Sequence, residues 1–228
     1  MDPKTVAQAL YQIGGPDITD PRDCAVYLLD LGELVLIDAG AGPSYDKIVH
    51  NIEDIGLNPA KLTSIILTHC HIDHIGGAPQ FRDAFGCRII MHQIDAKPVE
   101  EGNEGQTAAS WYNLAFPPMP VDVKLQREEE RLRFGDQEIV CLHTPGHTPG
   151  SISVYLDRGG KRILFGQDIH GPFSEEFGSD LAAWRRSMER LLALEGDILC
   201  EGHFGVFQPK ENVAAYIEHY LEQYRGRG

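Results

Sequence analysis

The sequence lacks a stripe of basic residues. Its 34 aspartates and glutamates outnumber its 20 lysines and arginines, which gives a net charge of −14. A protein that binds nucleic acid usually concentrates lysine and arginine on one face, because these side chains displace the counterions of the phosphates. Anionic membranes attract the same side chains. We therefore expect a small-molecule substrate and neither nucleic acid nor a membrane as partner; a homodimer stays open.

Long apolar segments are also missing. No apolar run approaches the roughly 18 residues that a membrane-spanning helix requires. The first ten residues do not show the basic region and apolar stretch of a secretory signal. The sequence is therefore expected to be that of a cytoplasmic protein.

Cysteine is scarce, and its spacing fits neither a disulfide framework nor a cysteine-rich zinc site. The chain has five cysteines without any CxxC pair, and most of them lie in or beside apolar runs. This pattern is typical of reduced thiols packed in a core.

What the sequence does contain is a series of short apolar runs separated by turn residues. With 228 residues, 42% of them hydrophobic, the chain is long enough for a sizeable core, and we predict a single domain over residues 1–228. Strands are predicted at 25–29, 33–37, 64–68, 88–91, 138–142, 151–156, 162–165 and 197–200. Helices are predicted at 45–55, 76–85, 180–194 and 212–224. This order favours an α/β protein with two sheets packed face to face and helices outside.

The segment 95–121 follows neither the helical nor the strand period. It carries Trp111, Tyr112, Phe116 and Met119 among glycines and prolines. We predict a loop, and two interpretations stay open. The loop forms a lid or a wall of a substrate site, or its aromatic residues simply pack into the core.

The strongest chemical signal is the segment Thr68-His69-Cys70-His71-Ile72-Asp73-His74, directly after a predicted buried strand. His69 and His71 are two residues apart, so in an extended segment both project to one side and Cys70 to the other. Imidazole and carboxylate groups are ligands that suit zinc. A metal site is predicted here, with Cys70 as a packing residue.

Three further candidates follow the ends of other predicted strands. His147 lies in a Thr-Pro-Gly-His-Thr-Pro-Gly turn, Asp168 in Gly-Gln-Asp and His203 in Glu-Gly-His. Ligands in open α/β sheets gather beyond the carboxyl ends of strands. We therefore expect these side chains to lie near the histidine cluster.

Together these residues resemble the metallo-β-lactamase superfamily, and within it the glyoxalase II-like hydrolases. The match covers most of the chain, from the strand at residue 25 to about residue 205. It rests on the HxHxDH segment 69–74, on His147, Asp168 and His203, and on Asp38, which matches the aspartate that orients the metal-ligand loop in this family.

The resemblance implies a four-layer αββα sandwich with two divalent metal ions, zinc above all, with iron or manganese as alternatives. His69, His71 and His147 would hold one metal; Asp73, His74 and His203 would hold the other; Asp168 would bridge them. A hydroxide shared by the metals would attack a small ester, thioester or lactone, with Asp73 or Asp168 handling the proton. His170, Trp111 and Tyr112 are predicted to contact substrate.

The resemblance leaves other functions open. Persulfide dioxygenases use the same fold with one iron, on the equivalents of His69, His147 and Asp168, but the Gly-Arg-Thr-Asp stretch of that family is replaced here by residues 169–172. A non-catalytic metal or ligand sensor is a third class. Within the hydrolases, glutathione thioesters are disfavoured because the C-terminal region has few basic residues.

Overall fold

Two β-sheets form the centre of the protein. The computed structural model describes residues 2–226, and within these residues the first sheet has seven strands arranged in chain order. Its first three pairings are antiparallel and its last three are parallel. The strands are β1 Lys4–Ala7, β2 Leu10–Gly14, β3 Val26–Asp30, β4 Leu34–Ile37, β5 Leu62–Ile66, β6 Arg88–His92 and β7 Val123–Leu125.

The second sheet is built from the second half of the chain. In the described residues it has six strands: β8 Glu129–Phe134, β9 Gln137–His143, β10 Ile152–Arg158, β11 Lys161–Phe165, β12 Ile198–Cys200 and β13 Val206–Phe207. As in the first sheet, neighbouring strands follow one another in the chain. Strands β11 and β12 pair in parallel, and the other neighbours are antiparallel.

Helices cover the outer faces of both sheets. They are α1 Tyr45–Asp54, α2 Ile72–Ile75, α3 Ala78–Phe85, α4 Gln93–Glu101, α5 Ala109–Tyr112, α6 Leu181–Ala193 and α7 Lys210–Gln223. Two short 3-10 helices span Pro59–Lys61 and Glu175–Phe177. No helix within residues 2–226 is long and apolar enough to cross a membrane.

Three apolar clusters hold these layers together. Between the sheets, Tyr27 of β3 packs edge-on against Phe165 of β11 with 5.6 Å between ring centroids. Leu28, the next residue of β3, points the other way into a cluster with Ile48 of α1 and Phe81 of α3. A third cluster lies between the second sheet and α6 and α7. The strands are thus apolar on both faces, and the predicted αββα sandwich is confirmed.

The apolar runs located eight strands and four helices to within about two residues, but they missed five strands: β1, β2, β7, β8 and β13. Four of these, β1, β7, β8 and β13, are edge strands, and β1, β7 and β8 have exposed polar positions. Edge strands need few apolar residues, so their composition resembles that of a loop.

The prediction of a loop over 95–121 was wrong. Helix α4 runs into this segment, and α5 lies within it. The helical period was hidden because Pro98 interrupts α4 and glycine follows it, while Ala96 and Val99 nevertheless pack into the core. Both interpretations of the aromatic residues hold in part. Phe116 and Met119 are buried in the core, whereas Trp111 is 56% exposed.

Candidate metal centre

The predicted site residues converge because their strands end at the same edge of the sandwich. In the first sheet Asp38 follows β4 and the histidine cluster follows β5. In the second sheet His147, Asp168 and His203 follow β9, β11 and β12. The backbone joins the two sheets at this edge, since the amide of Ile152 donates to the carbonyl of Thr68 over 2.8 Å.

Besides a group of Cys24, Asp38 and His74, the described residues form two groups of potential metal donors that share Asp168. We call them the first donor group, His69, His71, His147 and Asp168, and the second donor group, Asp73, His74, Asp168 and His203. Within each group one donor atom per residue lies within 4.8 Å of the others. All of these side chains are buried except that of His203, which is 24% exposed.

Asp168 belongs to both groups through different oxygen atoms. Its Oδ2 lies 3.5 Å from Nε2 of His147 and 3.9 Å from Nε2 of His69. Its Oδ1 lies 3.1 Å from Nε2 of His74 and 3.2 Å from Nε2 of His203. A carboxylate divided in this way can bridge two cations.

The protonation states of the two groups differ. Burial lowers the pKa of His69 and His147, and it lowers the pKa of His71 to about 3. Burial acts in the same direction on His203, but the charges and hydrogen bonds of Asp168 and Asp73 together outweigh it and raise the pKa of His203 to about 10. The first donor group therefore holds neutral imidazoles, and Nε2 of His69 and His71 has no hydrogen-bond partner in the described structure.

The carboxylates remain ionised although they are buried. Burial alone would raise the pKa of Asp168, but the nearby imidazoles of His203 and His74 hold that pKa well below its usual range. For Asp73, His74 likewise outweighs burial and keeps the pKa low. Neutral imidazoles and ionised carboxylates are the forms that bind metals.

Several of these atoms lack a hydrogen-bond partner in the described structure. They are Nε2 of His69, His71 and His74, together with Oδ1 of Asp168. Buried polar atoms are normally paired, and each unpaired atom costs about 1–3 kcal/mol. A cation coordinated by these atoms would remove that cost, so the donor set fits metal ions.

Asp38 holds the histidine loop from behind, as the sequence predicted. Its Oδ1 accepts the backbone N–H of Thr68 over 2.8 Å, and its Oδ2 lies 2.7 Å from Nδ1 of His74. Gln167 donates to the same Oδ2 over 2.6 Å. These contacts fix the His74 ring so that its Nε2 faces the carboxylates.

Asp95 is a supporting residue that the sequence reasoning missed. It is 1% exposed, and its Oδ2 accepts the backbone N–H of Cys70 over 3.1 Å and the hydroxyl of Thr148 over 2.6 Å. Its Oδ1 accepts the N–H of Gly150 over 2.7 Å. Asp95 therefore ties the loop of His71 to the loop of His147. Its position shortly after strand β6 resembles that of Asp38 after β4. This position was the feature of the sequence that could have indicated a supporting role.

Cys70 and His143 lie outside the donor groups. The thiol of Cys70 contacts the carbonyl oxygen of Gln106 at 3.4 Å, and the residue packs into the core on the first sheet. This confirms the prediction that Cys70 points away from its neighbouring histidines. His143 stacks on His92 with ring centroids 4.0 Å apart, and its Nε2 lies 2.9 Å from the carbonyl oxygen of Pro149.

A cleft of about 290 Å³ opens above both donor groups. The three predicted substrate contacts, His170, Trp111 and Tyr112, all line it. Phe177 and Phe204 also line it, and the sequence analysis did not single them out. Burial, with Asp73 contributing, raises the pKa of Tyr112, so its hydroxyl stays protonated.

His170 is oriented by a buried glutamate. Its Nδ1 lies 2.6 Å from Oε1 of Glu201, which is fully buried. The other oxygen, Oε2, accepts the backbone N–H groups of His203 and Phe204. Glu201 therefore fixes one side of the cleft.

Comparison with known proteins identifies relatives in sequence. Probable metallo-hydrolase YflN of Bacillus subtilis is 29% identical in an alignment 201 positions long, which covers 74% of this chain and 74% of that protein. Hydroxyacylglutathione hydrolase GloC of Haemophilus influenzae is 30% identical over 150 residues, which are 65% of this chain and 66% of that protein.

Solved structures share the fold. A metallo-β-lactamase of Cronobacter sakazakii with a HARLDQ motif has a TM-score of 0.84 at 24% identity, over 98% of this chain and 93% of that one. The class B3 di-zinc metallo-β-lactamase LRA-12, from an Alaskan soil metagenome, has a TM-score of 0.80 at 22% identity, over 98% and 91%.

The match to a family model covers most of the chain and includes every donor residue. The model of the metallo-beta-lactamase superfamily matches residues 19–203. With its sandwich fold and its two donor groups, this chain belongs to the metallo-beta-lactamase superfamily.

Proposed function

We propose that this protein is a metal-dependent hydrolase of small esters, thioesters or lactones. The observation that carries the proposal is the division of Asp168 between two donor groups at the floor of a cleft. This arrangement suits two cations that act on one substrate bond.

The donor chemistry favours zinc, with iron or manganese as alternatives, because imidazole and carboxylate ligands suit these metals. His69, His71 and His147 would hold one ion; Asp73, His74 and His203 would hold the second; Asp168 would serve both. The di-zinc description of LRA-12 supports the same metal count. Two such cations would lower the pKa of water toward neutrality and polarise a carbonyl oxygen.

The protein side chains would position the reactants and the proton. Asp73 and Asp168 are ionised, and both line the cleft, so either can orient a water molecule or accept its proton. The protonated hydroxyl of Tyr112 is a donor beside the same floor. Asp38 and Asp95 act through the ligand loops and touch no substrate.

The names of two relatives bear on which type of bond the proposed hydrolase cleaves. GloC is named as a hydrolase of hydroxyacylglutathione, which is a thioester, and YflN is named only as a probable metallo-hydrolase. Thioesters therefore stand first among the candidate bonds, and the protein is grouped with the glyoxalase II-like hydrolases in this proposal.

Two measurements test it. Metal analysis of protein purified without added metal should find about two metal ions per chain. A panel of thioesters, lactones, phosphodiesters and a β-lactam should then show hydrolysis of the first two classes. One tightly bound iron, with oxygen consumption on persulfides, would instead assign the chain to the dioxygenases.

Variants then test the assigned residues. His69→Ala and Asp168→Ala should each abolish the activity that the panel identifies, since each removes a potential metal ligand from a donor group. His50→Ala is the matched control, because the His50 side chain is 67% exposed on α1. Full turnover by Asp168→Ala would refute the shared role of this carboxylate.

A further inference from the structure

The cleft above the donor groups is bounded by two aromatic walls. We call Trp111 and Phe177 the first wall, and His170 and Phe204 the second wall. The first wall adjoins His71 and His147, and the second adjoins His203. A substrate whose reacting carbonyl lies over Asp168 would therefore extend between these two walls.

The first wall is anchored to the first donor group. The ring centroid of Phe177 lies 4.3 Å from that of His71 and 4.7 Å from that of Trp111. The indole N–H of Trp111 donates to Oε2 of Glu176 over 3.3 Å. Phe177 is buried, but more than half of Trp111 is exposed, so the indole presents an open apolar surface at the mouth of the cleft.

The second wall is held by Glu201. The Phe204 ring packs edge-on against His170 with 4.7 Å between centroids, and it is 58% exposed. Because Glu201 binds both the His170 ring and the Phe204 backbone N–H, the wall is positioned before any ligand arrives. Large apolar side chains exposed together beside a cleft are typical of a binding surface.

Within the described residues, the cleft offers no permanently positive side chain for an anionic substrate group, since His203 would bind a cation as a neutral imidazole. Among the described residues that line it there is no lysine or arginine, and the carboxylates are those of Asp73 and Asp168. Glu176 adds a further carboxylate beside Trp111. A carboxylate on the acyl group would lose hydration between aromatic rings without gaining an ion pair, which is unfavourable. If the carboxylate of the substrate instead bound to the metal ions at the donor groups, it would take the place of the carbonyl that has to react there.

We propose that the cleft selects substrates with an uncharged, apolar acyl group, preferably an aromatic one, and rejects acyl groups that carry a carboxylate. This inference rests on the proposed hydrolase function and names its substrate class. The acyl group would lie against the rings of Trp111 and Phe204, with the carbonyl over Asp168. The volume of about 290 Å³ lies at the small end of known ligand sites and favours a small acyl group.

The direct test uses matched thioesters of one uncharged thiol, N-acetylcysteamine, with the zinc-loaded protein. We expect kcat/KM for the phenylacetyl thioester to exceed that for the succinyl thioester by roughly tenfold or more, in the range that pocket contacts give. Equal or faster turnover of the succinyl thioester would overturn the inference while leaving the hydrolase function intact.

A charge variant tests the first wall. Trp111→Lys supplies a cation in the cleft and should reduce the preference for the phenylacetyl thioester to near parity. Ile94→Lys is the matched control, because Ile94 is 44% exposed and does not line the cleft, so it should keep the wild-type preference. The same preference in both variants would contradict the role of Trp111.

A binding measurement tests the substrate preference independently of the hydrolase function. Calorimetry would measure phenylacetamide and succinamate, which are unreactive probes, on zinc-loaded wild type and on Trp111→Ala and Ile94→Ala. We expect only Trp111→Ala to weaken phenylacetamide binding, with succinamate unaffected. If no ester, thioester or lactone is hydrolysed, the hydrolase proposal fails, but the binding result still decides whether the cleft prefers the apolar group. Unchanged phenylacetamide affinity in Trp111→Ala would overturn this preference.

Discussion

Asp95 is a buried carboxylate that stabilises the site by accepting hydrogen bonds from the backbone of two loops. Its two oxygens accept two N–H groups and one hydroxyl from the loops on either side of the first donor group. None of these donors belongs to a metal-ligand side chain. The geometry of the imidazoles is thus set by a residue that lies behind them.

Removal of this carboxylate should be costly. Asp95→Ala would leave the N–H groups of Cys70 and Gly150 unpaired, and each unpaired buried group costs about 1–3 kcal/mol; the Thr148 hydroxyl would lose one of its two partners and keep Ser151. We expect a loss of roughly 3–5 kcal/mol in the free energy of unfolding, measured by urea denaturation. Asp95→Asn, which keeps one oxygen, should lose less. A loss below about 1 kcal/mol in Asp95→Ala would contradict this account.

His92 carries a second residue-scale consequence, in the pH dependence of stability. Burial, with the neighbouring His143, lowers the pKa of His92 from 6.5 to about 4, and its Nδ1 accepts the N–H of Ile94 at the start of α4. Because the folded-state pKa lies below the unfolded one, the unfolded chain takes up this proton first. The contribution is complete above pH 6.5 and is lost as pH falls from about 6.5 to about 4.

The variant His92→Asn tests this assignment. It keeps an acceptor for the helix but cannot titrate, so its unfolding free energy should fall less steeply between pH 6.5 and 4. The wild type should lose up to about 3 kcal/mol more than the variant over this range. Identical slopes in urea titrations at several pH values would show that His92 does not stay neutral.

At the scale of elements, the loop that carries His147 is pressed against α6. Gly146 has a φ of +153°, and a Cβ added there would lie 2.3 Å from Cβ of Trp184 and 2.5 Å from its Cα. The backbone N–H of Asp180 also donates to the carbonyl of Gly146 over 2.9 Å. The loop and the start of α6 therefore move as one unit.

Gly146→Ala should displace this loop. We expect a loss of roughly 3 kcal/mol or more in unfolding free energy and a weaker affinity for zinc, because His147 shifts with its loop. Gly159→Ala is the matched control. Gly159 also has a positive φ, of +60°, but its added Cβ would lie no closer than 3.8 Å to a neighbouring atom. Zinc affinity that falls equally in both variants would contradict the importance of this contact.

The contrast between α4 and α6 shows what the sequence could predict. Helix α6 has an apolar stripe without interruption and an Asp180 side chain that caps Ala182 and Ala183, so its period is visible. Helix α4 contains Pro98, and its N-terminus is capped only by the side chain of His92. The helical spacing of its apolar residues is therefore hard to recognise in the sequence. The chain segments that make the donor groups were recognisable because several unusual side chains follow strand ends. The position of Asp95 after a strand was a weak signal, and Phe204 had none, because the roles of both depend on partners distant in sequence.

At the scale of the whole molecule, both donor groups draw on both sheets. His69, His71, Asp73 and His74 come from the first, and the other donors come from the second. A ligand that binds only the folded chain stabilises it by about 2.7 kcal/mol at a hundred times its Kd. Cations bound here would therefore hold the sheets together.

Metal removal should lower the melting temperature. For a chain of this size, 2.7 kcal/mol corresponds to a shift of roughly 5–10 °C. We expect a shift of this order when zinc-loaded protein is treated with a chelator and followed by calorimetry, with recovery on adding zinc. His69→Ala should show a smaller shift. If the chelator leaves the melting temperature of the wild type unchanged, metal binding does not stabilise the fold.

The order of the strands has one more consequence. The first sheet uses only residues before 126 and the second only residues after 128, so a single cut in residues 126–128 would divide the chain into two pieces, each with one intact sheet. Neither piece would own a complete donor group, because Asp168 stays with one piece and the histidine cluster with the other. Zinc binding by a mixture of the two pieces, beyond that of either piece alone, would therefore show that the pieces reassemble.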